Sequence, residues 1–231
     1  MVSGVTPSIQ PNAERLAEAA ADFITQQVRA KPDLSILVAT GNTPMPTYAE
    51  LARRVQAGEA DFSRVTAVQL DEYLGVPDDD PRSLWGWMDR AFVKPLVITR
   101  TVRLESPAQF EAEVAGLGGL DLAILGLGPN GHLGFNEPLS GPDAPTRTLG
   151  LSPASLASNA AYWGDLAVPT GAITAGMDVI LAARQTLLLV GGAHKRSILH
   201  AALEGPETPE VPASFLRRTA LTVIADGAAW T

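Results

Sequence analysis

The sequence predicts an α/β fold: a mainly parallel sheet with helices on both faces. Two observations predict it. Short, almost wholly apolar runs stand at 34–39, 65–70, 121–127, 186–190 and 221–225, as expected of strands buried on both faces. Between them lie segments whose apolar residues recur at helical spacing, and strands alternating with helices build parallel βαβ units. The chain has 231 residues, 46% of them hydrophobic, enough for one large core.

The elements follow in order. Leu16, Ala20, Phe23, Ile24, Gln27 and Val28 share one face of a first helix, opened by Pro11-Asn12 and closed by Lys31-Pro32. A strand over 34–39 runs into Thr40-Gly41-Asn42-Thr43-Pro44, and a helix follows from Tyr48 to Ala57. The strand 65–70 ends at Asp71-Glu72-Tyr73. Ser83 to Val93 reads as a helix burying Trp85, Met88 and Phe92, and Pro107 to Ala115 as another. The strand 121–127 leads into Gly128-Pro129-Asn130-Gly131-His132. After a loop-rich stretch come the strand 186–190, a helix over 195–203 and the strand 221–225. Residues 1–231 are expected to form one α/β catalytic domain. The Ser-, Pro-, Gly- and Ala-rich segment 138–170 is either a lid or a plain surface connection.

Composition excludes several classes. Seventeen Lys and Arg against 25 Asp and Glu give a net charge of −8, which speaks against nucleic acid as a partner. No run approaches 18 apolar residues, so no membrane partner is expected. Cysteine is absent, which removes disulfides, thiolate metal sites and a cysteine nucleophile. Glu14, Glu18 and Asp22 sit where a signal peptide would be apolar, so a cytoplasmic location is expected.

Ligands of such sheets bind beyond the carboxyl ends of the strands, and the chemistry-bearing residues fall there. Backbone amides of 40–44 and the Thr43 hydroxyl suit a phosphate, or the segment is a simple turn. Gly126-Leu127-Gly128-Pro129-Asn130-Gly131 matches a dinucleotide-binding pattern only formally, because Pro129 lies inside the turn and Pro138 stops any helix. His132 and Glu137, flanked by Asn130 and Asn136, suit proton transfer, or the histidine is satisfied by its own turn. One His and one Glu are too few for a metal site. Asp71 is a helix cap or a general base at the sheet edge, and Lys195 a phosphate partner or an ordinary exposed lysine.

Taken in order, Ala39-Thr40-Gly41-Asn42-Thr43-Pro44, Leu70-Asp71-Glu72-Tyr73 and the run from Gly126 through His132-Leu133-Gly134-Phe135-Asn136-Glu137-Pro138 resemble the glucosamine-6-phosphate deaminase family. Ala172 to Met177, Leu188 to Lys195, Leu203 to Pro206 and Val211 to Ser214 extend the resemblance over nearly the whole chain. It implies a Rossmann-like fold of the sugar-phosphate isomerase type. It also implies conversion of glucosamine 6-phosphate and water to fructose 6-phosphate and ammonia, without metal or organic cofactor.

By resemblance, His132 opens the sugar ring with Asn130 and Glu137 beside it, and Asp71 moves a proton from C2 to C1. Gly41, Asn42, Thr43 and Lys195 match the phosphate positions. The partner is then a small sugar phosphate, and the protein a monomer or small homo-oligomer. Four positions depart from the family pattern: Asn130 replaces an Asp common in the family, Asn42 a Gly, Ala161 a phosphate-binding Arg, and Leu84 a Tyr. Arg147 and Arg196 are the candidate cations to replace the Arg lost at position 161. Two further readings stand beside the deaminase: lactone hydrolysis of the kind carried out by the related 6-phosphogluconolactonases, and a non-catalytic sugar-phosphate sensor.

Overall fold

A computed structural model describes residues 5–231. From the start of the described chain the elements are β1 (Ser8–Gln10), α1 (Ala13–Ala30), β2 (Ser35–Val38), α2 (Met45–Gln56), β3 (Thr66–Gln69) and β4 (Asp71–Tyr73). Next come α3 (Leu84–Met88), β5 (Arg100–Val102), α4 (Pro107–Gly116), β6 (Leu122–Gly126), β7 (Arg147–Gly150) and α5 (Pro153–Trp163). The remainder are β8 (Gly171–Thr174), α6 (Met177–Leu181), β9 (Gln185–Val190), α7 (Arg196–Glu204), β10 (Leu221–Asp226) and α8 (Gly227–Trp230).

Seven strands form one sheet in the order β1-β10-β9-β6-β2-β3-β5, and every neighbouring pair is parallel. Its side chains alternate between two cores. Leu37, Val68, Leu125 and Leu188 face one; Ile36, Val38, Ile124, Leu187 and Leu189 face the other. Both faces are covered, which is why these strands read as unbroken apolar runs rather than alternating ones.

The sequence reading did not anticipate a second sheet. Asp71-Glu72-Tyr73 is not the tail of β3 but a strand of its own, and the three-stranded antiparallel sheet has the order β4-β8-β7. Tyr73, Leu84, Phe135, Leu151, Trp163 and Ala172 form a third, smaller core beside it. The stretch after Glu137, read as loop-rich, contains β7, α5, β8 and α6. Ser152 caps α5, its hydroxyl accepting from Ser155 N at 3.2 Å, with Pro153 in the first helical position.

The helix expected over 83–93 is α-helical only to Met88 and continues as a wider π-turn over Asp89–Val93. Met88 and Phe92 are fully buried and Trp85 half-buried.

Asn136 joins the loop after β6 to the second sheet. It is fully buried; its Nδ2 donates to Leu133 O at 3.0 Å and Ala175 O at 2.8 Å, and its Oδ1 accepts from Arg147 Nη1 at 2.9 Å. Asn136→Ala removes three hydrogen bonds at a fully buried position. It is expected to lower the free energy of unfolding by about 2–4 kcal/mol, measured by urea denaturation.

Candidate functional site

The carboxyl ends of the parallel strands and the second sheet enclose a cleft of about 690 Å³. Of the residues singled out from sequence, Gly41, Asn42, Thr43, Asp71, His132 and Lys195 line it. Asn130 and Glu137 do not. They stand behind His132 and reach the cleft only through it.

The loop from Thr40 to Pro44 leaves β2 and turns at Gly41, whose φ of 120° only glycine adopts without strain. Among the described residues nothing stands within 4 Å of where a Gly41 side chain would, so its backbone is open to a ligand. Lys195 is fixed from another strand end. It closes a 3₁₀ turn over Ala193–Lys195, and Asp226 anchors the loop before it by accepting from Gly192 N at 2.9 Å. Burial pushes the Lys195 ammonium below its usual range, an environment suited to a counter-anion.

Asp71 is held where the two sheets meet. Gln69 Nε2 donates to its backbone carbonyl at 3.0 Å, and Asp71 pairs in register with Thr174 of β8. Thr174 Oγ1 in turn accepts from Phe135 N at 3.1 Å, so the same threonine ties the 131–137 loop to the strand pairing Asp71. The Asp71 side chain is 8% exposed. Burial, with a smaller push from the charge of Glu72, raises its carboxyl to about 8. Asp71 is therefore not a helix cap. Ser83 caps α3, its hydroxyl accepting from Gly86 N at 2.9 Å, and the Glu72 carboxylate accepts from Leu84 N at 2.9 Å and Trp85 N at 2.7 Å at the same helix start.

His132 lies against Gly128. A Cβ at Gly128 would stand 2.2 Å from His132 Cδ2 and 2.3 Å from Nε2, so the glycine is required by contact. His132 Nδ1 is buried, has no hydrogen-bond partner among the described residues and faces Glu137 Oε2 at 3.7 Å. Asn130 Nδ2 donates to the same oxygen at 3.0 Å, while Asn130 Oδ1 accepts from His132 N at 3.3 Å. The other Glu137 oxygen accepts from the buried Ser155 hydroxyl of α5, a residue the sequence reading missed. Burial pushes the Glu137 carboxyl up, but His132, Ser155 and Asn130 pull it down to about 2. Near neutral pH it is an anion aimed at the imidazole, which it orients.

The two cations proposed for the cleft are elsewhere. Arg147 is committed to Asn136, Ser140 Oγ at 2.9 Å and Pro145 O at 2.9 Å. Arg196 donates to Ala228 O at 3.1 Å. Neither lines the cleft, where Arg82 and Arg90 stand instead. Ala161 does line it, as do Ser158, Asn159 and Tyr162 of α5, and Leu84 and Trp87 of α3. Among the described residues, no three His, Asp or Glu gather closely enough to hold a metal ion, and no helix is long and apolar enough to cross a membrane.

Residues 9–135 match the family model described as glucosamine-6-phosphate isomerases/6-phosphogluconolactonase. A glucosamine-6-phosphate deaminase of Rhodopirellula baltica is 37% identical, over 96% of this chain and 93% of its own. One from Streptomyces coelicolor is 36% identical, over 96% and 90%. Among solved structures, a monomeric glucosamine-6-phosphate deaminase superposes with a TM-score of 0.93 at 32% identity, covering 97% of this chain and 98% of that one. A 6-phosphogluconolactonase from Trypanosoma cruzi superposes at 0.78 with 18% identity, over 98% and 96%, a likeness of fold. On the strength of these matches, the chain belongs to the glucosamine-6-phosphate isomerase/6-phosphogluconolactonase family.

Proposed function

We propose that this protein is a glucosamine-6-phosphate deaminase, converting glucosamine 6-phosphate and water to fructose 6-phosphate and ammonia. The observation that carries the reading is one cleft bordered by a buried carboxyl with raised proton affinity, Asp71, and by an imidazole backed by an anion, His132 with Glu137. The deaminase relatives, similar over nearly the full length, support the same chemistry.

The phosphate rests on the backbone of Gly41, Asn42 and Thr43, with Lys195 supplying charge. His132 takes the proton from the C1 hydroxyl and delivers one to the ring oxygen, which opens the ring; Glu137 and Asn130 keep the imidazole oriented. Asp71, as a carboxylate, removes the C2 proton to leave an enolamine and returns that proton to C1. The imine then present at C2 is hydrolysed by water, which leaves the ketose and releases ammonia. One carboxyl placed beside C1 and C2 serves both proton movements. The raised proton affinity of Asp71 makes it a stronger base once ionised, at the cost of a smaller ionised fraction near neutral pH. A monomer or small homo-oligomer acting in the cytoplasm fits this reading, supported by the structural relative described as monomeric.

The test is release of ammonia and ketose phosphate from glucosamine 6-phosphate. Lactone hydrolysis without ammonia release, or saturable binding without turnover, would overturn the proposal. In the parent, kcat/KM is expected to rise with pH through about 8 as Asp71 ionises in the free enzyme. Asp71→Asn is expected to lower turnover by about 10³-fold or more.

The stability of that variant gives an independent reading. The carboxyl is raised from its ordinary 3.8, so the folded chain holds a proton that the unfolded chain releases, and the parent loses stability as pH rises from about 4 to about 8. The Tm of Asp71→Asn relative to the parent should therefore climb across that window and level off above it. Gly128→Ala forces the His132 ring aside and is expected to cut kcat about 100-fold. A ring-opening assay checks this, since an open-chain substrate should recover most of the loss.

A further inference from the structure

A sugar phosphate brings close to two negative charges at neutral pH. The phosphate site just proposed, on which this inference rests, supplies one matched cation, Lys195. At position 161, α5 presents only a methyl group to the cleft. Two other cations line the cavity, and they differ in what they have left to offer. Arg82 is neutralised by Asp80, with Nε donating to Oδ1 at 2.7 Å, and its guanidinium lies 4.7 Å from the centre of the Trp163 ring. Arg90 has no carboxylate partner among the described residues; its Nη2 donates to Pro81 O at 2.6 Å.

Arg90 is also held in a defined place. Leu84, Trp87 and Arg90, three apart, line the cleft, while Met88 and Phe92 are fully buried. The Arg90 guanidinium lies beside Gly86, where a Cβ would stand 3.0 Å from Nη1. Arg90 belongs to the π-turn over Asp89–Val93, a local widening of the kind that often accompanies functional sites. That turn is docked on α2: the Phe92 ring meets Tyr48 edge-on at 4.8 Å, and α2 is the helix that leaves the Gly41–Thr43 loop.

Strand order then sets the sides. Lys195 follows β9, on one side of β2 beyond β6, whereas the segment carrying Arg90 follows β4 within the connection from β3 to β5, on the other side. The two cleft cations without carboxylate partners among the described residues therefore approach the loop after β2 from opposite directions.

We propose that Arg90 is the second phosphate-binding cation of the cleft, on the side of the 41–43 loop away from Lys195, and that it sets the preference for phosphorylated over neutral sugars. Its fork can give two parallel hydrogen bonds to phosphate, which a lysine cannot.

The test uses the full chain and two variants, Arg90→Gln and Arg90→Lys. For Arg90→Gln, KM for glucosamine 6-phosphate is expected to rise about tenfold or more with kcat changing less than about threefold, and inhibition by inorganic phosphate to weaken by the same factor. Arg90→Lys keeps the charge and loses the fork, so it should fall between parent and Gln variant. It carries the test if Arg90→Gln loses its fold. Calorimetric titration of inorganic phosphate into parent and variants reads the same site without turnover. A parent that releases no ammonia while phosphate affinity still falls in the Arg90 variants would sink the deaminase reading and leave this one standing. Folded variants with parental KM and parental phosphate affinity would overturn it.

Discussion

The chain passes from one sheet to the other across a single residue, Leu70, and the position of Asp71 in the cleft depends on that crossing. Gln69 fixes it. Buried at the end of β3, its amide oxygen accepts from Leu104 N at 3.1 Å, and its amide nitrogen donates to Asp71 O at 3.0 Å and to the Glu72 carboxylate at 3.1 Å. Parallel strands on one side and antiparallel strands on the other thus place the Asp71 carboxyl in the seam between two layers. Burying a carboxyl there works against stability, while pairing with β8 holds the main chain around it: Asp71 stands in register with Thr174, and Ala175 N donates to Leu70 O at 2.8 Å. Glu72, the next residue, is used quite differently. Its charge is spent on the amides that open α3, and α3 in turn leads into the turn bearing Arg90.

The imidazole side of the cleft follows another logic. Here a loop rather than a strand presents the reactive group, and it is made rigid by contacts from several directions. Gly128 leaves room for the ring, Asn136 binds the loop to Ala175 beside β8, and Thr174 holds Phe135. Glu137 collects donors from Asn130 and from Ser155 of α5. The helix that covers part of the cleft is therefore bonded to the carboxylate behind the imidazole. A change in the position of α5 reaches His132 through one serine.

The five inner strands of the large sheet were legible because burial on both faces leaves unbroken apolar runs, and the residues meant for the cleft were legible because they follow those runs; the edge strands β1 and β5, short and largely exposed, were not. The second sheet was not. Asp71–Tyr73 and Gly171–Thr174 are strands of three and four residues that exist only because they pair with each other at a distance of a hundred positions in the chain. The start of α5 was signalled by Ser152-Pro153, a cap followed by proline, but its Ser, Ala and Asn content reads equally as loop. Neither the bond from Ser155 to Glu137 nor the absence of Arg147 and Arg196 from the cleft has a local signature, since both depend on how distant segments pack. Arg90 looked like an ordinary helix-surface residue until the π-turn and the cavity gave it a side.

The aromatic residues around α5 have a practical consequence. Trp163 lies under Arg82 and edge-on to Tyr73 at 5.3 Å, and Trp87 meets Tyr162 at the same separation across the mouth. Two of the four indoles in the chain therefore sit at the border between helix and cavity, so intrinsic fluorescence offers a label-free optical gauge of how closely that helix is seated.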